Sequence, residues 1–116
     1  SHQIRRYPLR TDGFASIHAG YKGGKVTTKP LRFSGEKLVL NYWTSAGGII
    51  RVELLDEAGK PLPGYAAGDC QKIIGNEIRR VVSWGDKANL SELVGKPVRL
   101  RFRIIDADLY SLRFEH

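Results

Sequence analysis

A chain of 116 residues with 41% hydrophobic content is long enough for one domain with a real core. No apolar run approaches the length of a membrane-spanning helix and no signal peptide is visible, so no membrane partner is expected. The formal charge of +7 favours anionic partners, but no arm or tail of lysine and arginine accompanies it.

Thirteen glycines and five prolines fall mostly between short apolar runs, which points to an all-β chain with many turns. The single cysteine, Cys70, excludes an intrachain disulfide and a thiolate zinc cluster, and reads as a small buried hydrophobe. Methionine is absent. Ser1-His2 resembles the remnant of a cleaved tag, so residues 3–116 read as one domain taken from a longer protein.

In chain order, residues 3–11 form a polar, basic entry segment, and Asp12-Gly13 opens a short strand, Phe14 to Ala19. Tyr21-Lys22-Gly23-Gly24 is a turn. Lys25 to Thr28 and Leu31 to Phe33 form a strand interrupted by Pro30, as befits an edge. Lys37 to Thr44 begins apolar on both sides, as a central strand does. Ser45-Ala46-Gly47-Gly48 is expected to turn the chain into a second strand, Ile49 to Leu55, with Ile50, Val52 and Leu54 inward. Asp56 to Gly59 makes a hairpin loop whose glycine takes a positive φ. Residues 60–65 are a short edge piece. Residues 66–76 are a long loop holding Asp69 and Cys70, a length that often marks function. Glu77 to Trp84 is the next strand. Asn89 starts a short helical turn that Gly95 ends.

Val98, Leu100, Phe102 and Ile104 then alternate with Arg99, Arg101 and Arg103, the period of a strand with one dry face. Asp106-Ala107-Asp108 carries turn chemistry, so a terminal hairpin is expected, with Tyr110, Leu112 and Phe114 in the core. The total is about eight strands and one short helical turn, arranged as an antiparallel two-sheet β-sandwich of jelly-roll type.

The strings Leu9-Arg10-x-Asp12-Gly13-Phe14-x-Ser16, Thr27-Thr28-Lys29-Pro30, Asp56-x-x-Gly59-Lys60-Pro61-x-Pro63-Gly64-Tyr65, Asp69-Cys70-x-x-Ile73-x-Gly75, Val82-Ser83-Trp84, Gly95 to Phe102 and Asp106 to Ser111 span nearly the whole chain. Together they resemble a family of β-sandwich accessory domains attached C-terminally to glycoside-hydrolase-like proteins of secreted bacterial polysaccharide-degrading systems. The resemblance implies a noncatalytic carbohydrate-binding module, linked to a catalytic domain in its parent and secreted or periplasmic. It carries no settled binding residues. Trp43 stands outside the pattern.

Sugar rings present flat C–H faces that stack on aromatic side chains, while their hydroxyls need fixed donors and acceptors. The ligand-binding candidates are therefore Trp43, Trp84, Tyr21 and Tyr65, with Asn41 and Asp69 as polar partners. Tyr42 and Trp43 point to opposite faces of one strand; with Leu38 and Leu40 inward, Trp43 faces out beside Asn41. Trp84 has the competing role of a core or rim residue. Arg99, Arg101 and Arg103 form a second candidate, a row able to clamp carboxylates or sulfates of an acidic glycan, against the reading of a solvated face paired to acids such as Glu53. His18 has no nucleophile pattern near it, and Asp106 and Asp108 are turn formers, so no enzyme activity is expected. No cofactor is expected either: structural Ca²⁺ would need clustered acids, and no Asp/Asn-rich loop occurs. Nucleic-acid strings are likewise missing. A purely structural accessory domain, or a polyanion binder using the arginine row, are the alternative functions.

Overall fold

The computed structural model describes residues 4–9 and 15–116. The expected tag remnant and the Asp12-Gly13-Phe14 strand opening lie outside them. Six strands are described: β1 (Ile4–Leu9), β2 (Ala15–Ala19), β3 (Gly24–Thr27), β4 (Lys37–Leu55), β5 (Asn76–Val81) and β6 (Arg99–Glu115). They form one antiparallel sheet in the order β1-β2-β6-β4-β5, with β3 also on β6. The chain is all-β and antiparallel as expected, and the sheet curls towards a half-barrel. The entry segment expected over residues 3–11 contributes an edge strand, since β1 pairs with β2.

The two longest strands correct the reading of the turns. β6 does not fold back at Asp106; it continues for 17 residues, and β4 runs for 19 residues straight through Ser45–Gly48. They pair from Lys37↔Glu115 to Leu55↔Arg99. Between Thr44↔Ala107 and Ile49↔Ile105 the residues 45–48 oppose Asp106 alone. Turn-forming residues were thus present in both strands, but they face each other as a bulge. A bulge and a turn use the same residue types because both need bent backbone.

The same level is broken on the other flank of β6. β2 ends at Ala19, opposite Ala107, and β3 begins at Gly24, opposite Ile104. The turn between them closes with Gly23 N–H donating to Gly20 O at 2.8 Å, and Asp106 N–H donates to the same carbonyl at 2.9 Å. A fold line therefore crosses three neighbouring strands at Gly20–Gly23, Asp106 and Ser45–Gly48. Gly48 is required there: a Cβ would run into the carbonyl oxygen of Asp106. Asp106 itself has φ 46°, the left-handed region that aspartate tolerates better than most residues. Its carboxylate accepts from Ser45 Oγ–H.

Bending along this line lets one sheet enclose its own apolar side. Leu38, Leu40, Tyr42, Ile50, Leu100 and Phe102 are at most 1% exposed within a single core cluster. Residues of the segments flanking β5, among them Tyr65, Cys70, Trp84, Leu90 and Leu93, complete the core. The Asp56 loop forms as expected, with Asp56 N–H donating to Lys60 O at 2.8 Å and Gly59 at φ 94°. Trp84 Nε1–H donates to Val52 O at 2.8 Å and Ile73 bridges Ile50, pinning these segments to β4. Asn89 Oδ1 accepts Ser91 N–H at 2.8 Å at the start of the helical turn Ser91–Leu93, and Gly95 at φ 80° follows it.

Candidate functional site

Sheet register places four polar or aromatic residues in one transverse row. His18 on β2 opposes Asp108 on β6, Asp108 opposes Trp43 on β4, and Trp43 opposes Asn76 on β5. Residues directly opposite in antiparallel strands share a face. The chain neighbours Ile17, Ala19, Tyr42, Thr44, Ala107 and Leu109 are all buried, so this row occupies the outer face. With strands spaced by about 4.8 Å the row spans roughly 14 Å.

The row has defined chemistry. His18 Nδ1 lies 2.6 Å from Asp108 Oδ1, with both side chains partly exposed. The bond engages Nδ1, so the second ring nitrogen, Nε2, is not part of it. Trp43 is 40% exposed beside this pair, as its alternation required. Asn41 and Ser111 oppose each other one step along.

Between Asn41↔Ser111 and Tyr42↔Leu109 the register slips, and Tyr110 is the extra residue. The slip overturns the expected placement of Tyr110 in the core: it is 38% exposed, while Leu109 and Leu112 on either side are buried. A bulge reverses inside and outside over one residue, and simple alternation cannot register that.

The other candidates separate. Tyr21 is the most exposed of the candidate rings, at 76%, in the turn at the fold line. Tyr65 and Trp84 are buried and offer no ring face to solution. They pack edge to face at 5.4 Å, and the Lys87 ammonium sits 4.8 Å from the Tyr65 ring. Tyr65 O–H donates to Glu92 at 2.7 Å; burial and then that bond push its pKa up to about 12. Asp69 is exposed, but its carboxylate accepts Ala66 N–H at 3.1 Å across its own turn, Ala67–Asp69.

The arginine row is held by Glu53, the paired arrangement. Arg101 Nε and a terminal nitrogen donate to the two Glu53 oxygens at 2.7 and 3.1 Å. Arg103 Nε donates to Glu53 Oε1 at 2.7 Å. Arg99 Nε donates to Glu57 O at 2.9 Å, tying down the end of the row. Glu53 is 3% exposed, and its pKa is lowered to about 2, first by the Arg101 hydrogen bond.

The sequence alone assigns no binding role to His18, Asp108, Asn76, Ser111 or Tyr110: it reads Asp108 as a turn former, Asn76 as part of the loop 66–76 and Tyr110 as core, and the register that joins the row is not visible in it. A shallow depression of about 340 Å³ lies between Pro30, Leu31, Arg32, Glu57 and Pro97, at the far end of β6 from Asp108. Among the described residues no group of His, Cys, Asp and Glu could hold a metal ion. Comparison with family models, curated proteins and solved structures finds no match for this chain.

Proposed function

We propose that this chain is a noncatalytic carbohydrate-binding module of jelly-roll character, carried by a secreted polysaccharide-degrading enzyme, and that it holds glycan on the outer face around Trp43. The observation that supports this is the row itself: an exposed indole in register with a hydrogen-bonded His18–Asp108 pair on one side and Asn76 on the other. A sugar ring stacks its C–H face on the indole, while the imidazole, carboxylate and amides take its hydroxyls. Tyr110 extends the apolar surface next to Asn41 and Ser111.

The test is a glycan array with the whole chain, followed by titration of Trp43→Ala on the best ligand. Affinity is expected to fall by about tenfold or more while the folded signal stays intact. Unchanged affinity removes Trp43 from the site. The edge strand β5 favours a second reading, because Ile78 and nearby Ile74 are 77% and 56% exposed. Such apolar surface suits packing against a linked catalytic domain, and a chain that binds no glycan at all fits that structural role.

A further inference from the structure

The sequence places a cationic row along β6, but sheet register creates a different one across it. Lys25 on β3 opposes Arg103, and Arg103 opposes Arg51 on β4. The three side chains stand on the outer face, since Val26, Phe102, Ile104, Ile50 and Val52 beside them are buried. The next row is Thr27, Arg101 and Glu53. Four cations, Lys25, Arg51, Arg101 and Arg103, therefore share this patch of the outer face with one carboxylate, and that carboxylate is already bound to Arg101 and Arg103. Like charges placed directly opposite one another repel, so an anion would relieve an unfavourable arrangement already built into the sheet.

The geometry is also fixed in advance. Glu53, held in the sheet and buried, grips the Nε edges of both guanidiniums and so sets their planes. Arg51 is steadied through a terminal nitrogen donating to Ala67 O at 3.1 Å. Arg103 keeps a side-chain exposure of 45% and Lys25 is exposed. We propose that Lys25, Arg103 and Arg51 form a binding site for a carboxylate or sulfate group of an acidic polysaccharide. Guanidinium forks match such groups with paired hydrogen bonds, and lysine adds a point charge. The exposed rings Trp43 and Tyr110 belong to the other half of the sheet and Tyr21 to the turn at the fold line, so among the described residues no exposed ring is interleaved with Lys25, Arg103 and Arg51 as nucleic-acid stacking would need. Arg103 and Asp108 are five residues apart on β6, roughly 16 Å, so one glycan chain could reach both rows.

The ligand class rests on the carbohydrate-binding reading, and the experiment separates the two. Wild type, Lys25→Gln/Arg51→Gln and Trp43→Ala are titrated with polygalacturonate, heparin, a neutral glucan oligosaccharide and duplex DNA, each at low and at physiological salt. The double variant leaves Glu53 with both arginines, and its thermal midpoint confirms folding. The expected result is that polygalacturonate or heparin binds wild type in a salt-sensitive manner, with at least a tenfold loss in the double variant and no change for the neutral glucan. Stronger binding of one acidic polymer tells carboxylate from sulfate. Equal affinity of wild type and double variant for both polymers, binding to neither, or equally tight DNA binding overturns the site. If acidic glycans bind the double variant as tightly as wild type but are lost in Trp43→Ala, this site fails and the module reading stands; if no glycan binds any protein, both fail.

Discussion

The two halves of the β4–β6 ladder have the same inner face and different outer faces. Below the fold line, residues 49–55 pair with 99–105; above it, 37–44 pair with 107–115. Inside, both halves present the same kind of aliphatic and aromatic packing, exemplified by Val52 and Phe102 in one and Leu40 and Leu112 in the other. Outside, the lower half carries arginines around a buried carboxylate, and the upper half carries Trp43, Asn41 and a His–Asp pair. Core packing and outer-face chemistry are thus written on alternate residues of the same strands. The fold line lets the two surfaces differ without disturbing a continuous core.

If the inner faces are one core, damage to the lower half should unfold both. Phe102→Ala removes a ring that is 1% exposed and is expected to cost about 4 kcal/mol, measured by denaturant midpoint. The loss should appear as one cooperative transition, reported identically by Trp43 and Trp84 fluorescence in single-tryptophan backgrounds. Two separate transitions would show that the halves are independent units.

The next largest effect distinguishes the outer faces. Glu53→Gln leaves Arg101, with a side chain 19% exposed, without its counter-charge, and should cost about 3 kcal/mol at neutral pH. The same carboxylate is expected to dominate the acid behaviour. Its pKa falls from an ordinary 4.5 to about 2 on folding. The unfolded chain therefore takes up a proton near pH 4.5 that the folded chain refuses until about pH 2. Stability from this group is complete above the unfolded value and is lost as pH falls through that window, an amount of about 3 kcal/mol. In Glu53→Gln the acid limb should flatten. A weaker dependence remains from Glu115, held low by Arg113 and Arg79, and from Glu92, held low by Tyr65 and Lys87. An unchanged acid limb would show that Glu53 is not the dominant carboxylate.

How much of this was legible beforehand depends on whether the deciding contact was local. The alternation from Val98 to Ile104 gave the inward set, and the Asp56 loop and Gly95 behaved as their chemistry required. Trp43 faced outward because Tyr42 could not. Ser45–Gly48 and Asp106–Asp108 were misread for one physical reason. Whether such residues reverse a chain or merely bulge it depends on a partner strand running past them, and β4 and β6 meet across more than forty intervening residues, 56–98. The row at Trp43 was hidden in the same way. Trp43 had its outward side from alternation, while Asp108 read as a turn and Asn76 as loop, and four strands had to be aligned before His18, Asp108, Trp43 and Asn76 became neighbours.

The smallest effect is expected at the fold line, where two contributions oppose. Asp106→Gly removes the Cβ from a residue at φ 46° and so relieves the left-handed backbone. It also removes the acceptor for Ser45 Oγ–H and loosens the unfolded chain. Each contribution is about 1 kcal/mol, so the net change should lie within about 1 kcal/mol of zero. Asp106→Val lacks both remedies, since a β-branched residue tolerates positive φ poorly, and should be clearly destabilising. A loss above about 2 kcal/mol in the glycine variant would exceed what one such hydrogen bond contributes. In that event the bend would depend on the Ser45–Asp106 link, and the backbone of Gly48 and Gly23 would not be enough to hold the two outer faces at their angle.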